Sequence, residues 1–155
     1  MAAEPAHPAG GRADAGDDRR TDPTRDRRWT TPPSGEVYEW YQRGVRLLAD
    51  GHAAAAAQPL ARAAEAEPSS RSIREALARA WYDAGRYAQA RAAFAELVAA
   101  DPVDDYALFG SGLAAGRLGD HRDAVEHLAL AVAMRPDVAH YGRALRRARA
   151  ALKGS

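Results

Sequence analysis

The segment from Ala76 to Pro102 reads ALARAWYDAGRYAQARAAFAELVAADP and contains two helical patterns in succession. Apolar residues recur at the spacing of one helix face before Gly85, and they do so again between Tyr87 and Leu97. A glycine at the junction is typical of a helix that ends in the left-handed conformation, and proline cannot continue a helix. The segment therefore predicts two helices joined by a tight turn.

The marks of this segment recur at a spacing of 34 residues on either side of it. The equivalent positions are Gly51, Gly85 and Gly119 in the turns, Ala56, Ala90 and Ala124 in the second helices, Leu60, Phe94 and Leu128 one turn later, and Pro68, Pro102 and Pro136 at the ends. A helix–turn–helix unit repeated three times indicates a helical-repeat protein, because each unit needs neighbours to bury its apolar face.

This pattern resembles the tetratricopeptide repeat family over about residues 37–136. The residues that carry the resemblance are Trp40, Gly44, Leu47, Gly51, Ala56, Leu60, Ala63 and Pro68 in the first unit, Leu77, Ala78, Trp81, Gly85, Tyr87, Ala90, Phe94 and Pro102 in the second, and Leu108, Gly112, Gly119, Ala124, Leu128, Ala131 and Pro136 in the third. The resemblance implies an all-α fold, a right-handed α-solenoid of three repeats. It also implies a peptide- or protein-binding scaffold without chemistry of its own.

The periodicity predicts a helical domain at residues 36–152, with repeats at about 37–70, 71–104 and 105–138. The predicted helices are at about 36–50, 53–67, 70–84, 87–100, 104–118, 121–134 and 138–152. Gly44 has no side chain, so we expect the partner helix to approach closely there. Asp120 is placed to cap the helix that follows it.

Residues 1–35 contain no Val, Ile, Leu, Phe or Tyr, and they hold five of the nine prolines. Such a segment cannot bury enough apolar surface to offset the cost of ordering, so we predict a disordered tail. Trp29 either docks beside the first helix or occupies the protein's own binding groove. Six arginines in the tail are balanced by six acidic residues, which disfavours nucleic-acid binding.

Composition narrows the class of protein further. Hydrophobic residues make up 46% of the chain and charged residues 28%, which suits a globular protein. There is no cysteine for a disulfide or thiolate site, and no apolar run approaches the roughly 20 residues of a membrane span. The N-terminus lacks the pattern of a secretory signal, so we expect the cytoplasm. Lys153 is the one lysine among 22 basic residues, as codon usage in a GC-rich bacterial genome would give.

In the first and third repeats, the first helix carries a second apolar stripe. A helix that packs against one neighbour needs only one such stripe. In this resemblance the stripe faces a concave groove in which family members hold extended peptides or helices. The predicted binding residues are Tyr38, Tyr41, Val45, Leu48, Arg79, Tyr82, Tyr106, Phe109, Leu113 and Arg117. Five of the eleven aromatic residues are in this set, and exposed aromatic surface is typical of interaction sites.

Two alternatives for this set stay open. Tyr38 and Phe109 could instead cover the joints between adjacent first helices. Arg79 lies four residues from both Glu75 and Asp83, so it could belong to an ion-pair ladder on the helix surface.

Some members of the family grip the C-terminal carboxylate of chaperone peptides with a lysine and asparagines. This sequence has no asparagine and no lysine before Lys153. We therefore predict no clamp of that type. The groove should prefer an apolar or aromatic segment, with acidic residues toward the basic end at Arg117.

The C-terminal segment, residues 137–155, holds five basic residues and one acidic residue, whereas residues 36–136 have a net charge of −3. An apolar stripe of Tyr141, Leu145, Ala148 and Leu152 predicts a capping helix over about 138–152 that covers the last repeat. Its cations serve as a solubilising face or contact an acidic partner.

No catalytic or metal-binding pattern is present in the sequence. The five histidines form no pair at i, i+4, and no glycine-rich phosphate loop follows a strand. We therefore predict no enzyme activity, no cofactor and no metal. The predicted function is a scaffold that binds a protein or peptide, with no membrane contact. Homo-oligomerisation through the repeat surface is the alternative, and nucleic-acid contact through the arginines is a weaker one.

Overall fold

A computed structural model describes residues 34–155 of the chain, and these residues form seven α-helices. In chain order the helices are α1 (Ser34–Ala49), α2 (Ala53–Ala66), α3 (Arg71–Asp83), α4 (Tyr87–Ala100), α5 (Asp105–Arg117), α6 (His121–Met134) and α7 (Ala139–Gly154). No strand occurs in this described part. The predicted all-α fold of paired helices is confirmed, and each helix end lies within two residues of its predicted position.

The predicted tail lies almost wholly outside the described residues, and so does Trp29. Its last two residues, Ser34 and Gly35, belong to α1. From there the chain divides into two compact units, one that ends at Leu77 and one that runs from Ala78 to Ser155. The boundary falls inside α3, and each unit is described by itself below.

The turns between paired helices depend on glycine at one backbone position. Gly51, Gly85 and Gly119 have φ angles of 85°, 82° and 87°, in the left-handed region that glycine occupies without steric cost. The amide that follows each glycine donates to a carbonyl of the preceding helix, as in the 2.8 Å bond from Arg86 to Trp81. These bonds satisfy carbonyls that the helix end would otherwise leave without a donor.

In the first unit, α1 and α2 pack through a glycine. A Cβ atom at Gly44 would overlap the side chain of Leu60, which is fully buried along with Ala56 and Ala63. The expected close approach at Gly44 is therefore confirmed. Pro59, buried inside α2, has no amide hydrogen to give the helix, so the carbonyl of Ala55 loses its usual donor.

In the second unit, the core lies between α4 and α5 and is organised by one aromatic ring. Phe94 is 2% exposed and packs with Ala78, Ala90 and Leu97. A Cβ atom on Gly110 of α5 would overlap the Phe94 ring, so the two helices approach because this position has no side chain. The repeat pattern in the sequence does not include a glycine at position 110. The contact with Phe94 explains why this position has no side chain.

The next helix pair, α5 and α6, uses the same device as α1 and α2. A Cβ atom at Gly112 would lie 2.7 Å from Cγ of Leu128, too close for van der Waals contact. The start of α6 is capped by Asp120, whose carboxylate accepts from the amide of Asp123 at 3.2 Å. The predicted capping role of Asp120 is confirmed.

An ion-pair network joins α4 to the start of α6. Arg91 donates to Asp120 at 2.8 Å and to Asp123 at 2.7 Å. The hydrogen bond from Arg91, followed by the backbone amide of Asp123, lowers the pKa of Asp120. Asp123 also lies 3.1 Å from Nδ1 of His127.

The closing helix α7 packs on α5 and α6 through Tyr141, Ala144, Leu145 and Ala148, all of which are buried. The Tyr141 hydroxyl donates to Asp105 at 2.7 Å. Burial, followed by this hydrogen bond to a carboxylate, raises the pKa of Tyr141, so the phenol stays neutral. Leu152, predicted on the same face, is 36% exposed because it lies near the end of the helix.

The two glycines of α5 should respond in opposite ways to alanine. Gly112→Ala forces Leu128 to move and should lower the free energy of unfolding by about 1–2 kcal/mol. At Gly116 a Cβ atom meets only the Cβ of Ala124, at 3.7 Å, so Gly116→Ala should be neutral or raise stability by up to about 1 kcal/mol. Denaturant unfolding of the two variants measures the difference, and equal effects would contradict the packing described here.

The ion pair at Asp120 should stabilise the fold in a pH-dependent way. Its folded-state pKa is lowered, so its contribution is complete above the ordinary carboxyl pKa of about 3.9 and is lost as pH falls through the folded value. Asp120→Asn keeps a good capping residue but loses the charge. Its melting temperature should lie below that of the wild type at about pH 7 and converge with it as the pH falls through the lowered folded-state pKa of Asp120. A difference independent of pH would show that the charge is not the cause.

Candidate functional site

The predicted binding residues of the first unit are mostly buried. Tyr38, Tyr41 and Leu48 are 7%, 6% and 9% exposed, and Val45 is half-buried. A buried side chain offers a partner little surface, so these residues contribute chiefly to packing in this structure. Their role in binding stays a prediction.

In the second unit, three predicted residues lie together. Tyr82, Leu113 and Arg117 line one pocket of about 280 Å³. Tyr82 comes from α3, and the other two come from α5, one helical turn apart. The structure thus brings together residues 31 positions apart in sequence at one surface depression, and their role in binding stays a prediction.

Arg117 is held by the two tyrosines beside it. Its Nε donates to the Tyr82 hydroxyl at 3.2 Å, and its guanidinium carbon lies 5.9 Å and 5.4 Å from the ring centroids of Tyr82 and Tyr87. The two rings meet edge to face at 5.2 Å. The hydrogen bond to Tyr82, followed by the nearness of both tyrosines, raises the pKa of Arg117. These contacts with the two tyrosines orient the Arg117 guanidinium at the edge of the pocket.

The rest of the pocket comes from α5, α6 and α7. We call it the unit 2 pocket, and its lining is Tyr82, Gly112, Leu113, Gly116, Arg117, His121, Ala124, Leu128, Ala144, Arg147, Ala148 and Ala151. Ala124 and Leu128 are 1% and 2% exposed, so the floor belongs to the apolar core. No Asp or Glu is among the lining residues. The pocket thus combines an apolar floor with cationic walls.

The other aromatic residues predicted on this face serve the core. Phe109 stacks on Tyr141 with centroids 4.6 Å apart and an interplanar angle of 24°, and it meets the His140 ring edge to face at 5.2 Å. Tyr106 packs against the buried ring of Phe94 at 5.9 Å. Phe109 thereby connects α5 with α7, and Tyr106 connects α5 with α4. Their contact with a partner stays a prediction.

Arg79, the remaining predicted residue, pairs with Asp83 at 3.4 Å on the surface of α3. Its side chain is 53% exposed, so this pair contributes little to stability. Glu75, the other member of the predicted ladder, lies 3.7 Å from Arg71. Arg79 does not line the unit 2 pocket.

Several residues of the pocket were missed by the sequence prediction. Arg147, Ala144, Ala148 and Ala151 lie on the capping helix, and His121 begins α6. The sequence signal for Arg147 was weak, because it is one of five cations on a helix that also needs a polar outer face. Its place at the pocket depends on how α7 packs on α5, which periodicity alone does not specify.

Two overlapping stretches of the chain, residues 41–105 and 76–139, match the model of the tetratricopeptide repeat. The chain belongs to the tetratricopeptide repeat family. Domains of this family are protein–protein interaction modules. No curated protein matches the chain in sequence at a significant level.

Solved structures of tetratricopeptide repeat domains share the fold. The first such domain of Spaghetti (RPAP3), bound to the HSP90 peptide SRMEEVD, has 18% sequence identity and a TM-score of 0.72, covering 81% of this chain and 99% of that chain. The Sgt2 domain from Aspergillus fumigatus has 18% identity and a TM-score of 0.70, with 79% and 82% covered. The second human RPAP3 domain, in complex with the HSP70 peptide SGPTIEEVD, has 17% identity and a TM-score of 0.68, with 74% and 95% covered.

Within the residues that the structure describes, no group of three or more His, Asp or Glu side chains is placed to hold a metal ion. None of the seven described helices combines the length and apolar character that crossing a membrane requires.

Phe109→Ala should test whether this ring is part of the core. Loss of the stack on Tyr141 should lower the free energy of unfolding by about 2–3 kcal/mol, somewhat less than for a fully buried Phe. Thermal unfolding measures this, with Leu130→Ala as the control because Leu130 is 50% exposed on α6. An unchanged melting temperature for Phe109→Ala would leave the ring free for a partner.

Proposed function

We propose that this protein is a non-catalytic adaptor whose second unit holds a segment of a partner protein against the unit 2 pocket. The observation that carries the proposal is the meeting of Tyr82, Leu113 and Arg117 at that pocket. These residues belong to the face on which the family resemblance places ligands. Leu113 offers apolar contact, and Tyr82 and Arg117 offer directed polar groups beside it.

The size of the pocket favours a segment over a large ligand. Sites for drug-sized molecules occupy roughly 300–1,000 Å³, and this pocket lies at the lower limit with about 280 Å³. One or two side chains of an extended peptide fill such a space, while the rest of the peptide lies across the surface. Aromatic and arginine side chains next to a desolvated floor are typical of interaction hot spots.

The recognition chemistry should differ from that of the similar structures with HSP90 and HSP70 peptides. A clamp of lysine and asparagine side chains cannot form here, since the chain has no asparagine and its one lysine is Lys153. We therefore propose a partner outside the chaperone-tail class, bound through the pocket. The cytoplasm stays the expected location.

Selection from a displayed library of random peptides tests the proposal. Peptides enriched on the wild-type chain should lose at least about tenfold in affinity for Leu113→Ser, because a leucine contact with a partner is worth more than 1.4 kcal/mol. Leu130→Ser is the matched control, since it makes the same change at a residue outside the pocket. Equal affinities for both variants would show that binding occurs elsewhere.

The alternative function, self-association, is separated from this one by light scattering of the purified chain. A monomer at tens of micromolar, together with peptides that depend on Leu113, fits an adaptor. An oligomer that dissociates in Leu113→Ser would assign the same surface to a second copy of the chain.

A further inference from the structure

The unit 2 pocket has an excess of positive charge that no carboxylate of residues 34–155 neutralises. Arg117 and Arg147 line it, and neither forms an ion pair with any carboxylate in residues 34–155. Other arginines of the unit do have such partners: Arg79 pairs with Asp83, Arg91 with Asp120 and Asp123, and Arg135 with Asp137. Two cations therefore border an apolar floor without a counter-charge.

The geometry of Arg117 leaves its charge available to a ligand. Its Nε is engaged by the Tyr82 hydroxyl, and the tyrosine rings flank the guanidinium. The terminal Nη groups remain for a further acceptor. An arginine whose position is already fixed loses less entropy when it binds a carboxylate, and guanidinium matches carboxylate geometry with two parallel hydrogen bonds.

Small residues keep the space between α5 and α7 open. Gly116 meets nothing closer than the Cβ of Ala124, at 3.7 Å, so packing does not require a glycine there. On α7 the pocket is lined by Ala144, Ala148 and Ala151. Larger side chains at these four positions would fill the volume that lies above Leu128.

We propose that the unit 2 pocket recognises an acidic–apolar peptide motif. The apolar side chain enters the space above Leu128, and Arg117 and Arg147 bind the carboxylate next to it. This inference rests on the proposed function and adds the chemistry of the ligand. The carboxylate comes from an Asp or Glu side chain within the partner segment, in keeping with a partner outside the chaperone-tail class.

The surroundings of the pocket favour an acidic partner as well. Residues 137–155 carry a net charge of +4, and Arg143, Arg146, Arg149 and Lys153 of α7 are exposed. Such a field attracts acidic segments from a distance without specifying their orientation. Orientation would come from the two arginines at the pocket, which are beside the apolar floor.

The test uses the full chain and random peptides displayed in two formats, one with a free C-terminus and one with both ends fused. Enriched peptides should contain an apolar residue beside Asp or Glu in both formats. Arg147→Glu should weaken them by at least about tenfold, as expected for loss of a charge-assisted hydrogen bond. Gly116→Leu, which fills the pocket, should weaken them as strongly.

Arg146→Glu is the matched control, because it makes the same charge change one residue away on α7 but does not line the pocket. It should alter affinity by no more than about threefold, and circular dichroism should show that all three variants fold. Enrichment in both formats is the result expected for a side-chain carboxylate, and enrichment in the free-terminus format alone would overturn that assignment.

Other outcomes overturn the inference in distinguishable ways. Peptides that lack an acidic group, or that respond equally to Arg147→Glu and Arg146→Glu, would refute the acidic–apolar motif and leave the adaptor function standing. If no peptide is enriched on the wild-type chain in either format, both the motif and the proposed function are wrong.

Discussion

The structure depends on the close approach of helices at positions that have no side chain. Leu60 lies over Gly44 in the first unit, and Leu128 lies over Gly112 in the second. Each contact lets a branched side chain fill the space between two backbones, so that the helices bury surrounding alanines completely. Because alanine supplies little apolar area by itself, a core so rich in alanine is stable only where backbones come this near.

The repeat pattern allowed the fold to be predicted almost completely. The left-handed glycines and the terminal prolines fix where each helix stops, since their backbone requirements are local and leave few alternatives. The same periodicity identified Leu60, Phe94 and Leu128 as equivalent large apolar residues in the second helices of the three repeats. The periodicity did not predict the glycine at position 110. A side chain there would overlap the ring of Phe94, which lies on α4. Pro59 lies inside the helix that the periodicity predicted at about 53–67, although a proline inside a helix is locally unfavourable.

The candidate site could be predicted only in part. The reason is that the second apolar stripe of a helix can pack against the next helix or can face a ligand. The sequence shows that Tyr82, Tyr106, Phe109 and Leu113 face away from the paired helix. It does not show whether the next helix or solvent meets them. Phe109 is covered by Tyr141, whereas Leu113 stays at an open pocket. That distinction depends on the placement of α7, and helix placement is a property of side-chain packing between elements distant in sequence.

The capping helix has a structural role in the fold and, in our proposal, a second role in binding. Tyr141, Leu145 and Ala148 close the apolar face of the last repeat, as the end of any repeat array requires. Ala144, Ala148 and Ala151 are too small to close it fully, and the space they leave is bordered by Arg147. If the helix served only as a solubilising cap, a larger apolar residue at the half-buried Ala151 would add stability, since each added buried methylene contributes about 0.8 kcal/mol. The open space at this joint is the observation that supports our proposal of a binding surface formed in part by the cap.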